Sequence, residues 1–170
     1  MKYTDYQNEY PLATDYLNRV READERVQWL RERANNMRMC LTDSSAKMTH
    51  TPHSGSPDQQ KILTILAEVD EMQEKIAEAE VAAEATRLEV GRTICALSDS
   101  TCQKVLMLYY IGKRNWQEIS DEIGYSPTHV YRLRDMGLAE LEKKMKTCQK
   151  KRRLMEANGG ACYIDVYGDL

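Results

Sequence analysis

Two long stretches of the chain repeat apolar residues in alternating steps of four and three. The first runs Tyr16, Val20, Ala23, Val27, Leu30, Ala34, Met37 and Leu41. The second runs Ile62, Ile65, Val69, Met72, Ile76, Ala79, Ala83, Thr86 and Val90, then Ile94 and Leu97. This is the a/d rhythm of a coiled coil, an apolar seam backed by charge. It predicts one helix from about Leu12 to Leu41 and a second of about forty residues, roughly 60 Å long. Between them "TDSSAKMTHTPHSGSP", Thr42 to Pro57, has no periodicity and reads as a loop or linker. Ser56 as N-cap, Pro57 at the first helical position and Gln59 as the capping-box partner predict where the second helix starts. Such a rod needs a partner for its seam: either the first helix folded back, or a second chain. Alanines at 79, 82, 83 and 85 would let that partner approach closely. The expectation is a long antiparallel helical hairpin, coiled-coil-like, that also dimerises.

The pattern changes at "LSDSTCQKVLMLYYIG". Ser98 or Asp99 caps a helix whose residues Val105, Leu106, Leu108, Tyr109 and Ile111 form a broad buried face, and Gly112 ends it. Asn115 and Glu118 make a capping-box pair for a short helix over Trp116–Ile123. Gly124 stops that helix, and Ser126 with Pro127 starts the last one. Three helices, the last two joined by a glycine-centred turn of about three residues, predict a helix-turn-helix domain. On the last helix Val130, Leu133, Leu138 and Leu141 point inward, joined by Ile119 and Ile123.

Thr128, Tyr131, Arg132 and Asp135 share the opposite face, in the turns of a recognition helix that enter a major groove. With His129 they are the expected base-contacting residues. Arg132 suits the O6 and N7 of guanine, and Thr128 suits a base edge or a thymine methyl. The expected phosphate contacts are Lys113, Arg114, Asn115 and Gln117 at the entrance of the preceding helix. To these are added Ser126 at the helix N-terminus and Arg134, Lys143 and Lys144 further along.

Charge supports this division. The chain carries a net charge of −3, yet residues 58–97 hold nine acids and four bases, whereas residues 98–153 hold seven acids and twelve bases. Only the second part is therefore expected to approach an anionic partner. Within it "KKMKTCQKKRR", Lys143 to Arg153, has seven basic residues; it extends the last helix, forms a basic arm along phosphates or is a solvated tail. The closing "NGGACYIDVYGDL" suits a small strand or a docking peptide. Five scattered cysteines without a CxxC pair read as reduced thiols. Cys40, His50 and His53 match no standard zinc spacing, so no metal is expected. No phosphate-cradling glycine loop, nucleophile elbow or HExxH appears, and the carboxylates lie on heptad outer faces, so neither an enzyme nor a cofactor is expected. With no apolar leader and no long apolar run, the expectation is a cytoplasmic protein without a membrane contact.

The stretch "LSDSTCQKVLMLYYIGKRNWQEISDEIGYSPTHVYRLRDMGLAELEKKM" resembles region four of bacterial sigma factors, which binds the −35 promoter element. The likeness rests on "LYYIG", on "WQEISDEIGYS" across the turn and on "VYRL…GLAEL" after it. With the heptad-rich first half and the "TPHSGSP" loop, the chain is similar to small sigma-like phage and mobile-element proteins described as late-gene transcriptional regulators. That resemblance implies recognition of a double-stranded −35-like element and a contact with RNA polymerase. It does not extend to strand opening, since no aromatic-rich promoter-melting region is present.

The expected plan is therefore all-α: a polar leader over 1–11, the hairpin over 12–97, a helix-turn-helix domain over 98–146, and a basic, flexible tail over 147–170. The expected role is a sequence-specific DNA-binding transcriptional regulator acting as a homodimer. A packaging adaptor of the small-terminase kind, or a module that binds RNA polymerase without touching DNA, are the alternatives. Light scattering separates the regulator from the packaging adaptor: a dimer supports the former, and about eight or more subunits would favour the latter.

Overall fold

Val20, Val27, Leu30 and Ala34 of the first heptad series are all buried, as are Val69, Met72, Ala83 and Val90 of the second. In a computed structural model that describes residues 9–46 and 59–157, these stripes lie on α1 (Pro11–Ala46) and α2 (Gln59–Cys95). The remaining elements are α3 (Ser100–Leu106), which passes directly into a π-helical turn over Met107–Ile111, then α4 (Trp116–Ile123) and α5 (Pro127–Ala157). The fold is all-α. The Ser56–Pro57 helix start, His50, His53 and the "NGGACYIDVYGDL" segment lie outside the described residues.

The chain divides into two compact units, and the division does not fall at Leu97–Ser98. One unit holds the chain up to Arg21 together with Thr86 onward; the other is Glu22–Ala85. The sequence placed all of α1 and α2 in one hairpin domain. In the structure the first turns of α1 and the last turns of α2 instead share a core with the C-terminal helices. Ala13, Leu17 and Val20 of α1 and Val90 and Ile94 of α2 cluster with Leu97, Leu106, Tyr110, Leu138 and Leu141. A constant heptad stripe records that a helix is covered on one side, not what covers it.

In the Glu22–Ala85 unit, Leu30, Ala34 and Met72 form the core, flanked by Met37, Ile76 and Ala79. Arg31 bridges to Glu80 at 2.8 Å, but both side chains are about half exposed, so the pair adds little stability. Of the four alanines expected at the seam, Ala79 and Ala83 are covered, while Ala82 and Ala85 are exposed.

In the other unit, helix ends are satisfied by specific side chains. The Ala13 N–H at the start of α1 donates to the buried Glu142 carboxylate of α5 at 2.8 Å, which places negative charge at a positive helix end. Lys144 Nζ donates to Ala96 O at 2.6 Å, and Gln103 Nε2 donates to Cys95 O and Leu97 O, which closes the end of α2. On the α1–α2 face, Tyr16 Oη lies within hydrogen-bonding distance of Glu89 and Thr93, and Arg19 pairs with Glu89 at 3.0 Å.

Asp99 is the N-cap of α3, accepting from Thr101 N at 2.6 Å and Cys102 N at 3.0 Å. Those backbone donors, Cys102 first, hold its carboxyl below the usual carboxylate range. A carboxylate with a depressed folded pKa contributes stability that is complete above its unfolded pKa and is lost as pH falls through the lower folded value. Asp99→Asn keeps a good capping oxygen but loses the titration. Acid unfolding followed by circular dichroism should therefore show a shallower loss of stability below about pH 4 than in the wild type, with unchanged helix content at neutral pH.

Two expectations about helix ends change. Residues 42–46, read as loop, continue α1. Residues 147–157, assigned to a flexible tail, continue α5. Lys, Arg and Gln are good helix formers and no glycine or proline intervenes before Gly159. In the preceding turns Glu140–Lys144 and Glu142–Lys146 pair at i,i+4. Cys102 lies buried between α3 and α5; burial pushes its thiol up to about 11, so it packs as a small apolar residue.

Candidate nucleic-acid interface

The α4–α5 corner is built from local sequence chemistry. Asn115 Oδ1 accepts from Glu118 N at 2.9 Å while Glu118 Oε2 accepts from Asn115 N at 3.1 Å, a complete capping box at the head of α4. At its other end Gly124 takes φ +77°, a left-handed conformation that glycine enters without penalty. The Gly124 and Tyr125 N–H groups both donate to Ser120 O, and the buried Ser120 hydroxyl donates to Tyr125 O. The next helix begins where Ser126 O accepts from the His129 and Val130 N–H groups. A Cβ at position 124 would meet open space, so Gly124→Ala carries only the backbone penalty. It should lower stability by about 1 kcal/mol, read from a thermal melt.

Ile119, Val130 and Leu133, with Cys102 and Val105, form the core beneath this corner, and Trp116 and Ile123 pack on it. Gly137 lets α5 approach α3: a Cβ there would lie 2.9 Å from Leu106 Cδ1 and 3.4 Å from Cys102 Cβ. The side of α5 away from that core is therefore held in place by both neighbouring helices.

On it, Thr128, His129 and Arg132 are exposed. Arg132 forms no ion pair with any described residue. The His129 ring lies 4.8 Å from that of Tyr125, a half-exposed aromatic that the sequence reading did not single out. Its only signal was its place in the turn itself. Lys113, Arg114, Asn115 and Gln117 are exposed at the entrance to α4. Lys113 has a left-handed backbone, φ 54°. Asn115 is occupied by its cap, and Gln117 Nε2 donates to Asp121 at 3.0 Å. Ser126 is exposed in the turn, and Lys143 is exposed further along α5.

Four expected contacts stand differently. Arg134, expected on phosphate, is 6 % exposed. Its Nε and Nη2 both donate to Asp135 Oδ1, at 2.9 and 2.7 Å. Its Cζ lies 5.3 Å from the Trp116 ring centroid and 5.3 Å from that of Tyr131. The reason is angular: Arg134 is two positions beyond Arg132, roughly 200° around the helix, so one cation faces out and the other in. Lys144, also expected on phosphate, is spent on Ala96 O and Glu140. Tyr131 and Asp135, expected on bases, are half-buried and joined to Arg134. Trp116 is in turn stacked on Tyr109 of the π-turn, with centroids 4.0 Å apart and planes 17° apart.

Among the described residues no group of three or more His, Cys, Asp or Glu side chains is placed to hold a metal ion. No helix among them is long and apolar enough to cross a membrane. No curated protein and no solved structure matches the chain. Residues 42–142, which include the whole α4–α5 corner, match the family described as "Protein of unknown function (DUF1492)". That match covers more than half of the sequence, and the chain belongs to the DUF1492 family.

Proposed function

We propose that the chain is a sequence-specific regulator of transcription that binds double-stranded DNA, with α4 and α5 acting as its helix-turn-helix. One observation carries the reading. Thr128, His129 and Arg132 stand exposed in the first two turns of a helix whose opposite face is locked into a core, beside the exposed cations Lys113 and Arg114. The first turns of such a helix are the part that reaches base edges, while flanking cations and helix N-termini hold phosphates. The excess of basic residues over 98–153 gives the same part of the chain the charge that a polyanion needs. The reading includes a homodimer, which would present two such corners to paired half-sites, and a contact with RNA polymerase in keeping with the sigma-like stretch.

Selection of bound duplexes from a random pool tests it. An enriched motif should emerge, bound with nanomolar-range dissociation constants that weaken steeply with salt. Light scattering on the same sample should report a dimer. A pool that returns no enriched sequence would overturn the reading.

A further inference from the structure

We infer that Arg134 is the positioning residue of the duplex-reading face: with Tyr131, Asp135 and Trp116 it fixes α5 against α4, and the reading is left to Thr128, His129 and Arg132. The inference rests on the DNA-binding reading above and deepens it by dividing the expected contact set into readers and supports.

A buried guanidinium needs a partner for its charge. Arginine is rarely fully buried unless paired, and here the pair is the next residue in the helix. Neighbouring positions on an α-helix do not face each other. The Arg134–Asp135 pair therefore depends on the reach of the long arginine side chain, whose guanidinium also lies beside Trp116. The tryptophan is the first residue of α4, directly after the Asn115 cap and two places after Arg114. One guanidinium thus joins the head of α4, with its exposed cations, to the second turn of α5, which carries Arg132.

Stability alone does not call for an arginine at this place. Apolar side chains of similar volume replace buried ion pairs at little or no cost. What the guanidinium supplies is a flat, directional group, flanked by two rings and held by a two-pronged contact to one carboxylate oxygen, and lysine reproduces neither feature. The Tyr109–Trp116 stack carries the same constraint back to the π-turn. Above the Ile119, Val130 and Leu133 core, this side chain is then the polar link that fixes the distance between the groups suited to phosphates (Lys113, Arg114, Gln117) and those suited to bases (Thr128, His129, Arg132). Hydrogen bonds to base edges tolerate little displacement, whereas phosphate attraction falls off gently with distance.

The full-length chain with Arg134→Met or Arg134→Lys tests this. Each variant is titrated against the duplex enriched by the wild type and against a scrambled duplex of the same length and composition, at a temperature where circular dichroism shows full helix content. The expected result is a loss of about tenfold on the enriched duplex with a change within about threefold on the scrambled one. A purely structural role would lower both in proportion to the folded fraction. Where Arg134→Met fails to fold, Asp135→Asn, which removes the carboxylate and keeps the shape, is expected to move the ratio in the same direction. Equal losses on both duplexes, or an unchanged ratio, would overturn this assignment while wild-type specificity stood. A wild type that enriches no sequence would instead remove the DNA-binding reading, and the inference with it.

Discussion

Leu106→Ala is expected to destabilise the protein by about 2–5 kcal/mol, the range for removing a buried leucine's outer carbons from a core that cannot close around the gap. Leu106 is fully buried and is the last residue of α3, where the backbone passes into the π-turn. Its Cδ1 lies against the bare backbone of Gly137, where a Cβ would come within 2.9 Å. On that side no side chain exists to move into the space. Relaxation would need α3 and α5 to shift together, and both also hold Cys102, Val105, Val130 and Leu133 around Ile119. At roughly 2–4 °C per kcal/mol for a chain of this length, the melting midpoint should fall by about 4–20 °C. Leu63→Ala is the matched control, because Leu63 is 65 % exposed and should change stability by no more than about 0.5 kcal/mol. A Leu106→Ala melt that coincides with the wild type would mean that α3 and α5 do not share a load-carrying core at Gly137.

The residues that reported the fold most faithfully are those whose job is local. Asn115 and Glu118 satisfy each other's backbone within one turn, and Gly124 takes the one conformation that favours it over other residues. Neither needs knowledge of the rest of the chain. The heptad stripes were equally legible, since Val27, Leu30 and Val69 need only be covered. What could not be read was the identity of the cover. Val20 belongs to the rhythm that Val27 and Leu30 follow, yet with Ala13 and Leu17 it clusters with Leu138 and Leu141, more than a hundred residues away. The candidate site divides in the same manner. Arg132 and Arg134 are chemically identical, and the roughly 200° between them around α5 turns one outward and the other inward, where Trp116 lies beside it. The π-turn left no trace either, because "VLMLYYI" satisfies an α-helical pattern equally well. Lys144 read as a surface cation because the carbonyl it meets belongs to Ala96, in the turn after α2, forty-eight positions earlier.

Arg132→Ala is expected to cost about 1–3 kcal/mol of duplex affinity, concentrated at one base pair of the selected site. The guanidinium is exposed in the second turn of α5 and forms no ion pair with any described residue. Such a fork fits the O6 and N7 acceptors of guanine, and the wrong base leaves donors unpaired in a desolvated groove. The signature is the shape of the loss rather than its size. Against duplexes mutated one position at a time, the wild type should discriminate at the guanine and Arg132→Ala should not, with every other position unchanged. Lys113→Ala gives the contrast: a cation suited to phosphate should weaken all duplexes alike and reduce the salt slope by about one. Since Arg132 is exposed, its removal should leave the melt within about 0.5 kcal/mol of the wild type, so a lost base preference could not be laid to unfolding. If Arg132→Ala kept the full preference at every position, the reading helix would have to face the duplex by another side. Thr128 and His129, which stand on the same turns, would leave the contact set with it.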